Sequence, residues 1–305
     1  MFNHIIEKDF DIKNLTTFKI GGKIREVYFP KNLDGFFEIL RDTHKDFQVF
    51  GNLSNTLVSS DGYGGAIILT TKMNNIEIDG THIVADAGVK GPKLAQTVAE
   101  QGLSGLEFMI GFPGSVGGEV YMNASANSQA ISDTLVCATC YSKEKGIIKL
   151  TKDELEFDYR TSRCQKEDLI VLQAEFELSQ KPKEEIKKQM EENLAFRKSH
   201  QPSLALPNCG SIFKNPQNNS AGKLLDSVGA KQMAEGEARV WENHANFIVN
   251  NGNATSKDVL SLMYKMYLAV KKEYNIELEP EIRFLGGKNK EENELCQILY
   301  QKMPK

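Results

Sequence analysis

The apolar positions of this chain follow two periods. In "NLDGFFEILRDTH" Phe36, Phe37, Ile39 and Leu40 share one helical face behind Asn32, which predicts a capped helix. Before and after it, "EVYFP", "FQVF" and "GAIILT" are short runs of strand character. From 76 to 178 strands dominate, in "IEIDG", "THIVADAGV", "TLVCATCYS", "GIIKLT" and "LIVLQAEFEL". One helix interrupts them, "GPKLAQTVAEQG", closed by Gly102. "KPKEEIKKQMEENLAFRKSHQP" is a charged amphipathic helix that stops at Pro202 and is expected to bridge two domains. Beyond it "NHANFIVN" reads as a buried strand. "TSKDVLSLMYKMYLAVKKEYN" reads as a long helix capped by Thr255 or Ser256, with Val259, Leu262, Met263, Met266, Tyr267 and Val270 at helical spacing. A last short helix is expected around Leu295, Ile298 and Leu299. Strand runs with separate helices predict an α+β plan rather than a regular βαβ alternation.

The bulk properties narrow the function. The 305 residues are 40% hydrophobic and 26% charged with 24 Gly, the composition of a globular protein long enough for two or three cores. A net charge of -4 without a Lys/Arg run argues against a nucleic-acid groove. No stretch is apolar enough to span a membrane, and the start "MFNHIIEKDF" has no signal-peptide pattern, so a cytoplasmic protein is expected. Five scattered cysteines make no disulfide framework. The lone pair Cys137 and Cys140 is expected on opposite sides of one strand. His4, His44, His82, His200 and His244 show no metal spacing, and no metal site is predicted.

Two loops have the composition of phosphate holders. The first, "VFGNLSNTLVSSDGYGG", offers Gly51, Asn52, Ser54, Asn55 and Thr56. The second, "GLEFMIGFPGSVGGEVYMNASAN", offers Gly111, Gly114, Gly117 and Gly118 around Pro113, Ser115 and Asn123. Glycine lets the main chain approach an anion, and consecutive N–H groups can form a nest for pyrophosphate oxygens. Neither loop matches a P-loop or a Rossmann fingerprint, and each alone also reads as a plain turn. Together they point to a nucleotide. "LEFDYRTSR" carries Tyr159 and Arg160, and "IELEPEIRFLG" carries Glu279, Glu281 and Arg283. In "PNCGSIFKNP", Cys209 or Ser211 is open to four readings: nucleophile, proton donor, ligand, or residue of a polar turn. No GxSxG elbow and no neighbouring base mark a nucleophile there.

In order along the chain, "LTTFKIGG", the two loops, "FDYRTSR", "PNCGSIFKNP", "AGKLLDSVGA", "NHANFIVNNGNATSKDVL" and "LEPEIRFLG" resemble the motifs of the UDP-N-acetylenolpyruvoylglucosamine reductase family, in its shorter type II form without the extra Tyr loop. The resemblance implies a two-subdomain FAD-binding region of the vanillyl-alcohol-oxidase type (1–72 and 73–195) and a C-terminal α+β substrate domain (196–305). It implies an NADPH-dependent oxidoreductase of peptidoglycan synthesis, with dissociable FAD, a UDP-sugar substrate and a monomeric state. Arg160, Ser211 and Glu281 match the family's catalytic guanidinium, proton donor and carboxylic acid. Gly51 to Thr56 (with Leu53) and the loop from Gly111 to Gly118, with Asn123, are implied for FAD. Tyr159, Lys214, Asn215 and His200 are implied for substrate. A reading from another class is a binding-only descendant that senses flavin or UDP-sugar. Where the family shows three glycines before Ser-Asn, this chain has Gly51-Asn52-Leu53. A leucine there is strained if its φ is positive, so glycine at position 53 is expected to tighten FAD binding.

Overall fold

The computed structural model describes residues 3–43, 46–203 and 205–301; His44 lies outside them. The chain divides into two compact units, Met1–Ile6, Val27–Asn52 and Ile67–Arg197 in the first, and Glu7–Glu26, Leu53–Ala66 and Lys198–Lys305 in the second.

In the first unit a five-stranded sheet runs in the order Gly146–Thr151, Leu135–Ser142, Ile170–Glu177, His82–Asp86, Ile76–Asp79. All four neighbouring pairs in it are antiparallel. Inward residues such as Ile83, Ala138, Ala174 and Phe176 are fully buried and meet Leu94, Phe108 and Val116 from the covering helices. Helix Gly91–Ala99 carries Pro in its first turn, and Gly102 takes φ +76 to turn the chain after it. Asn32 caps helix Leu33–Thr43 by accepting the Gly35 N–H at 2.9 Å, and Phe36 and Ile39 are buried as its periodicity requires. Helix Lys183–His200 buries only Ile186 and Asn193, a thinner apolar face than the sequence implied. Cys137 and Cys140 are both buried, on opposite faces of the strand as their odd spacing predicts: Cys140 joins the core with Ala138 and Phe176, and Cys137 lies beside Glu175 and Lys149 on the other side. Cys140 meets Cys164, Sγ to Sγ at 3.8 Å, and not Cys137. A four-stranded sheet orders His4–Asp11, Lys23–Pro30, Tyr63–Leu69 and Phe47–Phe50.

The core of the second unit is built on helix Ser256–Tyr274. Thr255 and Asp258 form a reciprocal capping box at its start. Val259, Leu262, Met263, Met266, Tyr267 and Val270 are all buried, the face read from their spacing. Helix Lys290–Tyr300 packs against it, as does the three-stranded sheet Ala234–Glu235, Ala238–Val240, Ile248–Asn250. Phe18, Ile20 and Leu57 join the same core from the early part of the chain. Strand Thr56–Val58 pairs in parallel with Arg283–Leu285. Glu292 is buried, and both its oxygens accept hydroxyls, from Ser59 at 2.6 Å and from Ser256.

Candidate active-site segments

In the first unit the structure brings the two glycine-rich stretches together at Gly51 and Asn52. The Asn52 amide donates to the Pro113 carbonyl at 2.6 Å. A Cβ on Gly51 would stand 2.1 Å from Ser115 Oγ, so only glycine allows this approach. The expected nest of free amides is corrected in part. Val116 N–H donates to Val89 O at 2.8 Å and Gly117 N–H to Ala87 O at 2.9 Å, so both are already used. A Cβ on Gly117 would come 2.8 Å from that of Ala87, and close packing accounts for this glycine. Gly111 is similar: its carbonyl accepts Arg197 Nε at 2.7 Å, and a Cβ there would strike the Arg197 side chain. Burial lowers the pKa of that guanidinium. Ser115 Oγ is buried without a hydrogen-bond partner. Both carboxyl oxygens of Glu119, one turn further on, are buried and unpartnered too. Burial pushes the Glu119 carboxyl up to about 8.

Also in this unit, Arg160 sits at φ +54, a backbone conformation that costs a non-glycine residue about 1–2 kcal/mol. Neighbours hold it there. Its carbonyl accepts Gln165 Nε2 at 3.0 Å, and the same amide reaches Tyr121 O at 2.7 Å. Asn123, in the left-handed conformation at the end of helix Val116–Met122, donates to Asp158 O at 3.1 Å. The guanidinium donates to Ser125 Oγ at 2.7 Å and lies 5.3 Å from the ring centre of Tyr159, which is exposed.

In the second unit, Ser211 and Glu281 are carried on neighbouring segments in register. Glu281 N–H donates to Ile212 O at 2.8 Å, and Lys214 N–H to Glu279 O at 2.9 Å. On the other side Ile212 N–H donates to Asn246 O at 2.9 Å. The buried Asn246 side chain accepts Phe213 N–H at 3.0 Å and donates to Phe213 O at 2.8 Å. Asn55 donates to Glu281 O at 3.0 Å, and its own carbonyl accepts Arg283 N–H at 2.9 Å. Asn55 and the buried Thr56 therefore brace the segment of Glu281. Ser54 gives its carbonyl to Thr17 Oγ1 at 3.4 Å.

Leu53 does adopt a positive φ, +50, and its side chain is buried. The strain of about 1–2 kcal/mol is offset by burial of a leucine, whose removal costs about 2–5 kcal/mol. Glycine at 53 therefore loses more than it relieves. Cys209 is a core residue at 2% exposure, and burial and then the charge of Glu281 push its thiol far above the neutral range. A thiol held protonated is no nucleophile. Lys214 pairs with Glu279 at 2.6 Å, and Asn215 Oδ1 accepts the Ala221 N–H at 3.0 Å. His200 ends its helix exposed, 2.8 Å from Ser199 Oγ. Among the described residues no group of three or more His, Cys, Asp or Glu is placed to hold a metal ion, and no helix is long and apolar enough to cross a membrane.

Asn246, Gln165, Ser125 and Glu119 were not picked out from the sequence. Asn246 alone had a signal, a polar residue inside the apolar run "NHANFIVN".

The partnerless Ser115 hydroxyl and the bare backbone at Gly51 fit a group with acceptor oxygens such as a dinucleotide. A family model described as "FAD binding domain" matches residues 27–150. Fold and loops thus define an α+β flavin-nucleotide-binding protein. A second model, "UDP-N-acetylenolpyruvoylglucosamine reductase, C-terminal domain", matches residues 201–285. The chain is 43% identical to the UDP-N-acetylenolpyruvoylglucosamine reductase of Caldicellulosiruptor saccharolyticus over 92% of this chain and 91% of the relative. It is 38% identical to that of Bacillus subtilis over 90% and 92%. The crystal structure of the Thermus caldophilus reductase superposes with a TM-score of 0.79 at 34% identity, covering 93% of this chain and 100% of that one. The chain belongs to the UDP-N-acetylenolpyruvoylglucosamine reductase family.

Proposed function

We propose that this chain is a UDP-N-acetylenolpyruvoylglucosamine reductase: an FAD enzyme that uses NADPH to reduce the enolpyruvyl group of its UDP-sugar substrate to the lactyl ether of UDP-N-acetylmuramate, in peptidoglycan synthesis. The observation that carries the reading is the register that places Ser211 and Glu281 on adjoining segments, through the 2.8 Å bond from Glu281 N–H to Ile212 O. FAD would be held by Gly51, Asn52 and the loop from Gly111 to Gly118, where it would supply hydride-transfer chemistry between NADPH and the substrate. The chain's own residues supply the rest. Hydride at the terminal carbon of an enol ether leaves negative charge on the adjacent carbon and its carboxylate. Arg160 provides a fixed positive charge and a planar fork for that carboxylate. One such donor contributes a factor on the order of a hundred or more. Ser211 donates the proton that quenches the enolate carbon; a hydroxyl serves because that carbon is strongly basic and the transfer is short. Glu281 assists as a neutral acid or through water, since a bare carboxylate repels the enolate. Lys214, released from Glu279, and Asn215 engage the sugar nucleotide. Tyr159 and His200 lie on exposed segments open to substrate. The reaction runs in the cytoplasm.

Anaerobic stopped-flow absorbance of the flavin tests this. NADPH should bleach the bound flavin and the enolpyruvyl UDP-sugar should restore its colour. A flavin that NADPH bleaches and this substrate leaves bleached would overturn the assignment.

A further inference from the structure

The mechanism leaves Glu119 unused, and its surroundings are unusual. A buried carboxyl ordinarily has a cation or several donors as partners. Glu119 is 4% exposed, and neither oxygen has a hydrogen-bond partner. Two glycines make room for it: a Cβ on Gly91 would stand 2.4 Å from Oε1, and one on Gly114 3.0 Å. Gly91 N–H donates to Gly114 O at 3.2 Å, so the carboxyl fills the space behind the seam where the turn ahead of helix Gly91–Ala99 meets the 111–118 loop.

Among the described residues, no charged group on the elements packed against helix Val116–Met122 pairs with it. On the helical turn Arg163–Lys166, Arg163 pairs with Glu167 and Lys166 with Glu156, both at 2.7 Å, and the Cys164 thiol faces Cys140. On the two neighbouring strands His82 lies between Glu175 and Glu177, and Asp86 accepts from Asn75 and Gln173. Asp133, on the turn Ile131–Thr134, accepts the Ala130 N–H, and Lys90 beside Gly91 is exposed. Burial alone sets the state of Glu119, with a pKa of about 8. It fits this space as a neutral acid. As a carboxylate it would be an uncompensated charge directly behind a loop meant to receive a doubly charged diphosphate.

We propose that Glu119 is a positioning residue for FAD: uncharged, it fills the space behind the 111–118 loop and holds the loop ready for the cofactor, and ionised, it expels the cofactor. The inference rests on the reading that this loop receives the FAD diphosphate. Linkage then requires that FAD binding at alkaline pH take up a proton.

Flavin-fluorescence titration of the full chain with FAD from pH 6 to 9.5 tests this, using wild type, Glu119→Gln and Glu119→Met. The ratio of the wild-type dissociation constant to that of either variant should be level up to pH 7. It should rise about tenfold between pH 7 and 9. Taking the ratio cancels titration of FAD itself and of groups common to all three proteins. Calorimetry at pH 9 in buffers of different ionisation enthalpy should show proton uptake by the wild type and none by Glu119→Gln. A ratio that stays level across the range overturns the proposal, as does loss of FAD by both variants at pH 7. Failure of the wild type to bind FAD at pH 7 would instead break the cofactor reading.

Discussion

The 111–124 stretch of the first unit and the 208–215 segment of the second are both polar and glycine-containing, yet they satisfy their polar groups in opposite ways. On either side of Ser211 the backbone is tied down. Ile212 and Phe213 bond to Asn246, Lys214 bonds to Glu279, and Gly210 N–H donates to Asn208 Oδ1 at 3.0 Å. Along the other stretch Ser115 Oγ, both oxygens of Glu119 and Asn123 Oδ1 are buried without partners. Each such group costs about 1–3 kcal/mol unless something outside the fold meets it. The first arrangement fixes the proposed proton donor in one geometry before substrate arrives. The second stores unsatisfied polarity beside the loop proposed for a cofactor.

The largest effect that would sharpen this contrast comes from Glu119. Its pKa is raised in the fold to about 8 from an ordinary 4.5, so the stability it contributes is full below 4.5 and is lost as pH rises to 8. Urea unfolding of the FAD-free protein should show wild type losing roughly 4 kcal/mol relative to Glu119→Gln across that window. Parallel curves for the two proteins would mean that the carboxyl finds a partner in solution.

Ser211→Ala should leave flavin reduction by NADPH near normal and slow reoxidation by substrate about a hundredfold or more. Equal losses in both half reactions would remove the proton-donor role and make Ser211 a structural residue. Asn246→Ala should lower unfolding free energy by about 2 kcal/mol, since two buried backbone groups of Phe213 lose their partner. FAD affinity should stay unchanged, and a matching loss of it would dissolve the contrast between the two regions. Leu53→Gly gives the smallest change, about 1–2 kcal/mol lower stability by the same assay, because lost burial outweighs relief of the φ +50 strain. A stabilised variant would mean that the strain at Leu53 outweighs the gain from its burial.

The legible parts of the molecule are those with local causes. Asn32, Gly102 and the Thr255–Asp258 box end or begin helices through bonds within four residues of themselves. The buried face of Ser256–Tyr274 follows from spacing alone. Ser211, Arg160 and Glu281 were found because their motifs resemble a family's, and the reason each sits where it does was not visible. Ser211 depends on Asn246, 35 positions on. The Glu281 segment depends on Asn55, 226 positions away, and Arg160 on Ser125, 35 positions back.

The sequence by itself determined the α+β plan, the order of motifs and the family, since periodicity, capping and motif order are written residue by residue. Tertiary structure alone decided that Leu53 is buried in spite of its strain, that the Val116 and Gly117 amides are already used, and that Glu119 is an acid without a partner. Burial and the presence or absence of partners depend on which distant segments the fold brings together, and a carboxyl's charge state follows from them.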